Sequence, residues 1–365
     1  MIIDKITLTN FRNYQKQTLA LGSGINFIIG ANGEGKTNFL EAIYVLAMAK
    51  SYKVEDQDLI KFNEEFAKIQ ASIVQDKHKT ELTLIISEIG KRALSNDKEI
   101  KRLSDYIGNL YIVSFLPEDL NLIKGSPKDR RYYFDVFLGQ IDKEYLTDLA
   151  DYKHLIRQRN ELLKKMADTN NRDETLLDVI TEQLADKITI ITKRRMALID
   201  EINRGIKEAF SRLTHLDRGF KLEFIPSIAA LDIAKFLKSK YRQDLLSGAT
   251  NHGSHRDDYE FMFGGTPARL HASQGEQRAM LIALNIVLSD IVNNTKKSRP
   301  VFLLDDVFSE LDQARQNQLL EYLLETNAQT IITATAIDDI KERYRKTGKI
   351  FHVRKGYIKE ESING

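Results

Sequence analysis

The segment Gly30-Ala31-Asn32-Gly33-Glu34-Gly35-Lys36-Thr37 has the spacing G-x-x-x-x-G-K-[ST] of a phosphate-binding loop. Glycines let backbone N–H groups wrap a phosphate without Cβ clashes. Lys36 would contact the β- and γ-phosphates of a nucleoside triphosphate, and the Thr37 hydroxyl would sit on Mg2+. The bland alternative is a Gly-rich turn, which average residue usage would produce in this pattern with about a 1% chance in a chain of this length.

A second constellation lies far downstream. The apolar run Val301-Phe302-Leu303-Leu304 is followed by Asp305-Asp306. A buried parallel strand delivers its last carboxylate to the carboxyl edge of a sheet, where ligands bind. Asp305 would hold Mg2+, directly or through water, because that ion takes oxygen ligands and keeps several waters. Asp306 is placed to polarise an attacking water. Alone, the pattern fits a strand with an acidic turn equally well; a P-loop upstream favours the metal site.

Between these two, Ala272-Ser273-Gln274-Gly275-Glu276-Gln277-Arg278 precedes the apolar helical stretch Ala279–Val292. Ser273 and Glu276 have capping-box spacing. The same helix start could also face a γ-phosphate, with Ser273 Oγ and the Gly275 N–H as donors. The residues alone leave both readings open.

These groups need elements to position them. Before the P-loop, Ile25, Phe27 and Ile29 alternate as in a strand; after it, Phe39, Leu40, Ile43, Tyr44 and Ala47 recur at helical spacing. Further strands are expected at Ile3–Leu8, Ala67–Val74, Glu81–Ile86 and Tyr111–Phe115, with a turn at Asn10–Tyr14. Leu149, Tyr152, Ile156, Leu163 and Met166 form one helical stripe, and Leu177, Ile180, Leu184, Ile188, Ile191, Leu198, Ile202 and Ala209 another. With the turn-like Thr169-Asn170-Asn171 between them, they predict an antiparallel helical hairpin of roughly 45 Å reach. Strands return at Val301–Leu304, Gln329–Thr333 and Ile350–Val353. The expected fold is therefore α/β. It has one half of an ATPase head over residues 1–120, a helical insertion over 121–250, and the second half of the head over 251–365.

Composition narrows the classes. The 365 residues suit two or three domains, or one core with a large insertion. With no cysteine, disulfides, zinc–thiolate sites and cysteine nucleophiles are excluded. No run approaches about 18 consecutive apolar residues, so no transmembrane helix is expected. Met1-Ile2-Ile3-Asp4-Lys5 does not open a secretory signal. A cytoplasmic protein with no membrane partner is the expectation. The 54 basic and 52 acidic side chains give a net charge of +2, so any nucleic-acid surface must come from local clustering. Candidate clusters are Lys124, Lys128, Arg130 and Arg131; Lys153, Arg157, Arg159, Lys164 and Lys165; and Lys193, Arg194 and Arg195. Taken alone, a solvated helix face with acidic neighbours explains them better than phosphate contacts do.

The order P-loop, S-x-G-E-Q, Asp-Asp strand is that of ABC-type ATPase heads. Over essentially its whole length the chain resembles the RecF family, the bacterial recombination-mediator ATPases related to SMC heads. The resemblance rests on Asn10-Phe11-Arg12-Asn13-Tyr14, Gly30–Thr37, Pro117-Glu118-Asp119, Lys124-Gly125-Ser126-Pro127 with Arg130-Arg131, and Gln158-Arg159-Asn160. It continues in Gly253–Asp258, Ser273–Arg278 and Leu303–Asp312.

That resemblance implies an ABC/SMC-type head with an inserted helical hairpin, using ATP and Mg2+. ATP would lie on Gly30, Ala31, Asn32, Gly33, Glu34, Gly35, Lys36 and Thr37, with Asp305 and Asp306 beside it. Ser273 and Gly275 of another copy would close the site and Arg12 would reach the nucleotide, so that two ATP molecules join a homodimer. Lys36, Asp306 and Ser273 would carry a weak, DNA-stimulated hydrolysis used as a switch. Ser309-Glu310-Leu311-Asp312 would be the loop crossing the dimer interface. The resemblance also implies binding to double-stranded DNA near single-strand gaps and junctions, and work with RecR and RecO to load RecA. It turns the basic clusters toward DNA, with Lys124, Arg130, Arg131, Arg157 and Arg159 as candidate contacts.

Three positions depart from related patterns. Asp306 stands where many transporter ATPases carry Glu, and its shorter arm implies slow turnover. Thr335 replaces the transporter switch histidine, and Ser254 stands where proline is expected. Thr335, Ala272 and the long insertion disfavour the alternative of a transporter energising subunit. A clamp assembled by ATP, with hydrolysis incidental, is the other alternative.

Overall fold

A computed structural model describes residues 1–169, 174–214, 218–336 and 347–361. The chain divides into two compact units. One comprises Met1–Leu120, Glu208–Asp217 and Ala272–Gly365; the other comprises Asn121–Lys207 and Arg218–His271. The strands run in chain order as β1 (Ile2–Phe11), β2 (Tyr14–Ala20), β3 (Ile25–Ile29), β4 (Phe66–Gln75), β5 (His78–Ser87), β6 (Gly90–Ser95), β7 (Lys98–Ile100), β8 (Ile112–Phe115), β9 (Phe220–Ile225), β10 (Asp258–Phe263), β11 (Thr266–Pro267), β12 (Val301–Leu304), β13 (Thr330–Ala334), β14 (Lys349–Arg354) and β15 (Tyr357–Glu360).

The first unit holds two sheets. One has the order β15-β14-β3-β13-β12-β8, parallel except for β15 at its edge. Its central strands β3, β12 and β13 are buried at every position, as sheets covered on both faces require. The other sheet, β2-β1-β4-β5-β6-β7, is antiparallel. The helix Lys36–Met48 packs against β12 and β13 of the first sheet and β4 and β5 of the second. That explains why it is apolar nearly all round. The strands expected at Ala67–Val74 and Glu81–Ile86 are therefore part of a full second sheet. Periodicity did not reveal β2, β6, β7 or β15, which are short or half-exposed.

In the parallel sheet, β3, β8, β12 and β13 all end at one edge. Leu304 lies opposite Phe115 on one side and Ile332 on the other, while Ala334 lies opposite Ile29. The P-loop, Asp305, the end of β13 and Pro117-Glu118 thus leave the sheet at the same level.

The second unit contains the helices Pro127–Ile141 and Lys143–Thr169, the larger part of Glu174–Thr214, and the antiparallel sheet β11-β10-β9. Lys187 bridges Asp148 and Asp151, and Arg159 meets Thr181, so the two long helices run antiparallel. The turn expected between them at Asn170-Asn171 lies outside the described residues. Residues 251–271, expected with the second half of the head, pack in this unit because β10 pairs with β9 along its whole length. No helix among the described residues is long and apolar enough to cross a membrane.

Candidate phosphate-binding site

The P-loop leaves β3 at Gly30, whose N–H donates to Ala334 O at 3.2 Å. A Cβ on Gly30 would stand 2.5 Å from Val353 O, so only glycine lets β14 lie this close. Gly35 has φ +118°, and a Cβ there would collide with the Asn13 side chain. Ala31, Asn32 and Gly33 are exposed at the crest, while Lys36 is buried and curls back to Gly30 O at 2.6 Å and Ala31 O at 3.1 Å. Burial lowers the Lys36 pKa, opposed by the charges of Asp306, Asp305 and Glu34.

The loop is braced from several sides. Asn13 Nδ2 donates to Glu34 O at 3.1 Å, Asn38 Nδ2 donates to Asn13 Oδ1 at 2.9 Å, and Tyr14 OH donates to Gly35 O at 2.8 Å. At the β14–β15 turn, Lys355 N–H bonds the Glu34 carboxylate and Gly356 N–H bonds Glu34 O. The Asn13-Tyr14 motif therefore acts as a buttress. Arg12, expected to reach the nucleotide, donates to buried Glu41 at 2.9 Å and to Asp58 O at 3.1 Å. Glu41 also accepts from Ser51 Oγ at 2.6 Å.

Across the sheet edge, Thr37 Oγ1 donates to Asp305 Oδ1 at 3.1 Å. Thr333 Oγ1 donates to the same oxygen at 2.7 Å and accepts from Asp306 N–H at 2.8 Å. Burial raises the Asp305 pKa against these two hydrogen bonds, and the charges of Glu118 and Asp306 push it further up. Asp306 has φ 49° and caps the helix Val307–Glu310. Among the described residues the buried Tyr52 hydroxyl has no hydrogen-bond partner, and Asp305 is the foremost of the carboxylates acting on it. Thr333, Glu118 and Tyr52 were not singled out as site residues. Only the strand order and the turns at the sheet edge bring them to Asp305.

These features fit a phosphate chain with its cation. The loop has glycines at Gly30 and Gly35 where a Cβ would collide with the braces that hold it, a lysine at its centre, a hydroxyl–carboxylate pair suited to an oxygen-liganded ion, and a buried phenol that feels the carboxylate's charge.

Ser273 caps the helix Gln274–Lys296. Its Oγ accepts from Glu276 N–H at 3.3 Å and its N–H donates to Glu276 Oε2 at 2.7 Å, so the capping box is formed. The cap uses the exposed hydroxyl as an acceptor, leaving its proton free to donate. The half-buried Gly275 lies one residue inside the helix, where an added Cβ would stand 3.1 Å from Arg315 Nη1. Arg315 is itself paired with Asp312, the N-cap of Gln313–Thr326.

The candidate DNA contacts separate by burial. Lys124 and Arg157 are exposed. Arg159 has no exposure, and its guanidinium bonds Asp244 Oδ2 and Thr250 Oγ1, both at 2.8 Å. Arg130 is buried in a two-point pair with Asp258 at 2.7 and 3.0 Å. Half-buried Arg131 donates to Asp257 O at 2.6 Å. Arg195 is enclosed by Asp135, Asp257 and Ser254 O. Arg130 and Arg159, expected as duplex contacts, are thus spent on pairings inside the second unit.

The RecF/RecN/SMC N-terminal domain family matches residues 2–359. The chain is 40% identical over 371 residues to the DNA replication and repair protein RecF of Geobacillus kaustophilus (strain HTA426), covering 98% of this chain and 99% of that one. Among solved structures it resembles the recombination mediator protein RecF with ATP in the RecFOR pathway, with a TM-score of 0.91 and 28% identity over 99% of this chain and 97% of the other. An SMC head bound to the C-terminal winged-helix domain of ScpA shares the fold alone, with a TM-score of 0.57 and 19% identity over 100% of this chain and 98% of that one.

Proposed function

This chain belongs to the RecF/RecN/SMC N-terminal domain family, alongside the RecF proteins of DNA replication and repair, and on that premise we propose that it is an ATP-operated DNA-binding switch of recombinational repair. The observation that carries the reading is the Thr37–Asp305 hydrogen bond, which joins P-loop to Asp-Asp strand across 268 positions. Residues Gly30–Thr37 hold the ATP phosphates, and Lys36 turns from the loop carbonyls to the β- and γ-oxygens. Thr37 and Asp305 hold Mg2+, which when bound neutralises phosphate charge. Asp306 orients water, and its short arm keeps hydrolysis slow.

Ser273 Oγ and Gly275 N–H of a second copy complete the pocket, giving an isologous C2 dimer with two composite sites. The transporter arrangement is not favoured, because Thr335 replaces the switch histidine. Dimer closure on duplex DNA near single-strand gaps, in the cytoplasm with RecR and RecO and toward loading of RecA, is the corresponding role. Exposed Lys124 and Arg157 are the candidate phosphate contacts.

Sedimentation velocity with ATP, ADP or a short duplex tests this on wild type, Lys36→Arg and Ser273→Arg. A dimer formed by wild type with ATP and lost in both variants supports the composite site. A wild-type monomer with ATP bound would refute it. Duplex binding that does not weaken with salt would remove the phosphate contacts.

A further inference from the structure

Thr333 sits near the end of β13 with no exposure, at a position where valine would fill the same volume. A hydroxyl in such a place needs partners. Its partners are Asp305 Oδ1 at 2.7 Å and Asp306 N–H at 2.8 Å. The amide can only donate, so the hydroxyl accepts from it. The single hydroxyl proton must then go to the carboxylate. Both directions are fixed, and one atom sets the spacing between the two acids.

The consequences differ at the two ends. Among the described residues Asp305 Oδ1 takes donors from Thr37 and Thr333, which leaves Oδ2 as the open acceptor. Asp306 has φ 49°, a left-handed conformation that is uncommon outside glycine and that restraints in the fold help to hold. The bond from its N–H to Thr333 is one such restraint.

We propose that Thr333 is a positioning residue for phosphoryl transfer, orienting Asp305 toward the cation and Asp306 toward the γ-phosphate through one hydroxyl. The inference rests on the ATP reading above and deepens it.

The test compares wild type, Thr333→Val and Thr333→Ser. Uptake of Mn2+ with a non-hydrolysable ATP analogue is read by electron paramagnetic resonance, and binding of a fluorescent ADP in EDTA reports the loop without its cation. In Thr333→Val, Mn2+ affinity should fall roughly ten-fold or more, the worth of a hydrogen bond to a charged group. Fluorescent ADP binding in EDTA should be unchanged, and hydrolysis should fall with the Mn2+ affinity. Thr333→Ser should restore both. A valine variant that keeps its Mn2+ affinity and hydrolysis while losing only thermal stability overturns the role, as does a serine variant as impaired as valine. Wild-type protein that binds neither Mn2+ nor nucleotide sinks the ATP reading and this inference together.

Discussion

Thr37 and Asp305 are 268 positions apart in the chain, yet the threonine hydroxyl donates to the aspartate carboxylate at 3.1 Å. The first lies in the opening turn of the helix after β3 and the second follows β12, with β13 between those strands. The pair therefore depends on the parallel sheet's register. Any change that slips β12 against β13 separates the two groups before it touches either.

Lys36 tests the loop itself. Its ammonium is buried on two carbonyls with its pKa lowered by burial, so in the absence of nucleotide it adds little stability. Lys36→Met should melt no lower than wild type without nucleotide. With ATP and Mg2+, the wild-type rise in melting temperature should vanish from the variant, and ATP affinity should fall by about 10- to 100-fold. Wild-type affinity in Lys36→Met would show that the loop does not hold the phosphates.

Asp306 tests the source of slow turnover. Asp306→Glu lengthens the arm by one methylene and should raise the hydrolysis rate several-fold, about 1 kcal/mol in barrier. Asp306→Asn removes the charge and should lower the rate by at least about ten-fold, within the usual worth of a positioned base, while ATP-dependent dimerisation persists. A glutamate variant no faster than wild type would assign the slowness to another step.

The local parts of this site were legible because each is a short motif: eight residues for the P-loop, four apolar positions before Asp305, and a capping box at Ser273. The long-range parts were not. Nothing near Thr333 in sequence announces that β13 will lie beside β12, and nothing near Glu34 announces the Lys355-Gly356 turn. The buried arginines did leave a signal. Arg159 falls between Ile156 and Leu163 at helical spacing, and Arg195 falls between Ile191 and Leu198. Each continues its apolar stripe, so each was bound to be buried and paired. Their membership in basic clusters hid this.

That distinction separates two neighbouring arginines experimentally. Arg159→Ala leaves the Asp244 carboxylate buried without its counter-charge, held by hydrogen bonds from Asn251, which should cost about 3–5 kcal/mol. Its melting temperature should drop sharply. Arg157→Ala removes an exposed charge and should leave melting unchanged. Its signature is weaker duplex binding, with the slope of log affinity against log salt reduced by about one. Equal melting losses in the two variants would contradict the burial difference. An unchanged salt slope would remove Arg157 from the DNA surface.

His255 gives the protein a measurable pH response. Its Nε2 lies 3.0 Å from Thr250 O, so that nitrogen carries a proton, and Nδ1 accepts from Tyr152 OH at 2.5 Å. Tyr152 O in turn accepts from His255 N–H at 3.1 Å. The ring is thus held neutral, and burial pushes its pKa from 6.5 down to about 4. The unfolded chain takes a proton below 6.5 while the folded one waits until about 4, so this contribution to stability is full above 6.5 and is lost as pH falls toward 4. Asp119 works in the opposite sense. Burial raises its pKa from 3.8 to about 7, so its contribution is full below 3.8 and is lost as pH rises through 7. The two slopes oppose each other in the wild-type curve, and a variant is needed to separate them. His255→Asn removes one titration and leaves Asp119 in place. Its stability deficit against wild type should be largest near pH 7.5 and shrink toward about pH 5, as wild type alone incurs the histidine penalty. A deficit that stays constant with pH would mean that His255 binds its proton equally well folded and unfolded, contrary to its half-buried ring and its hydrogen bonds.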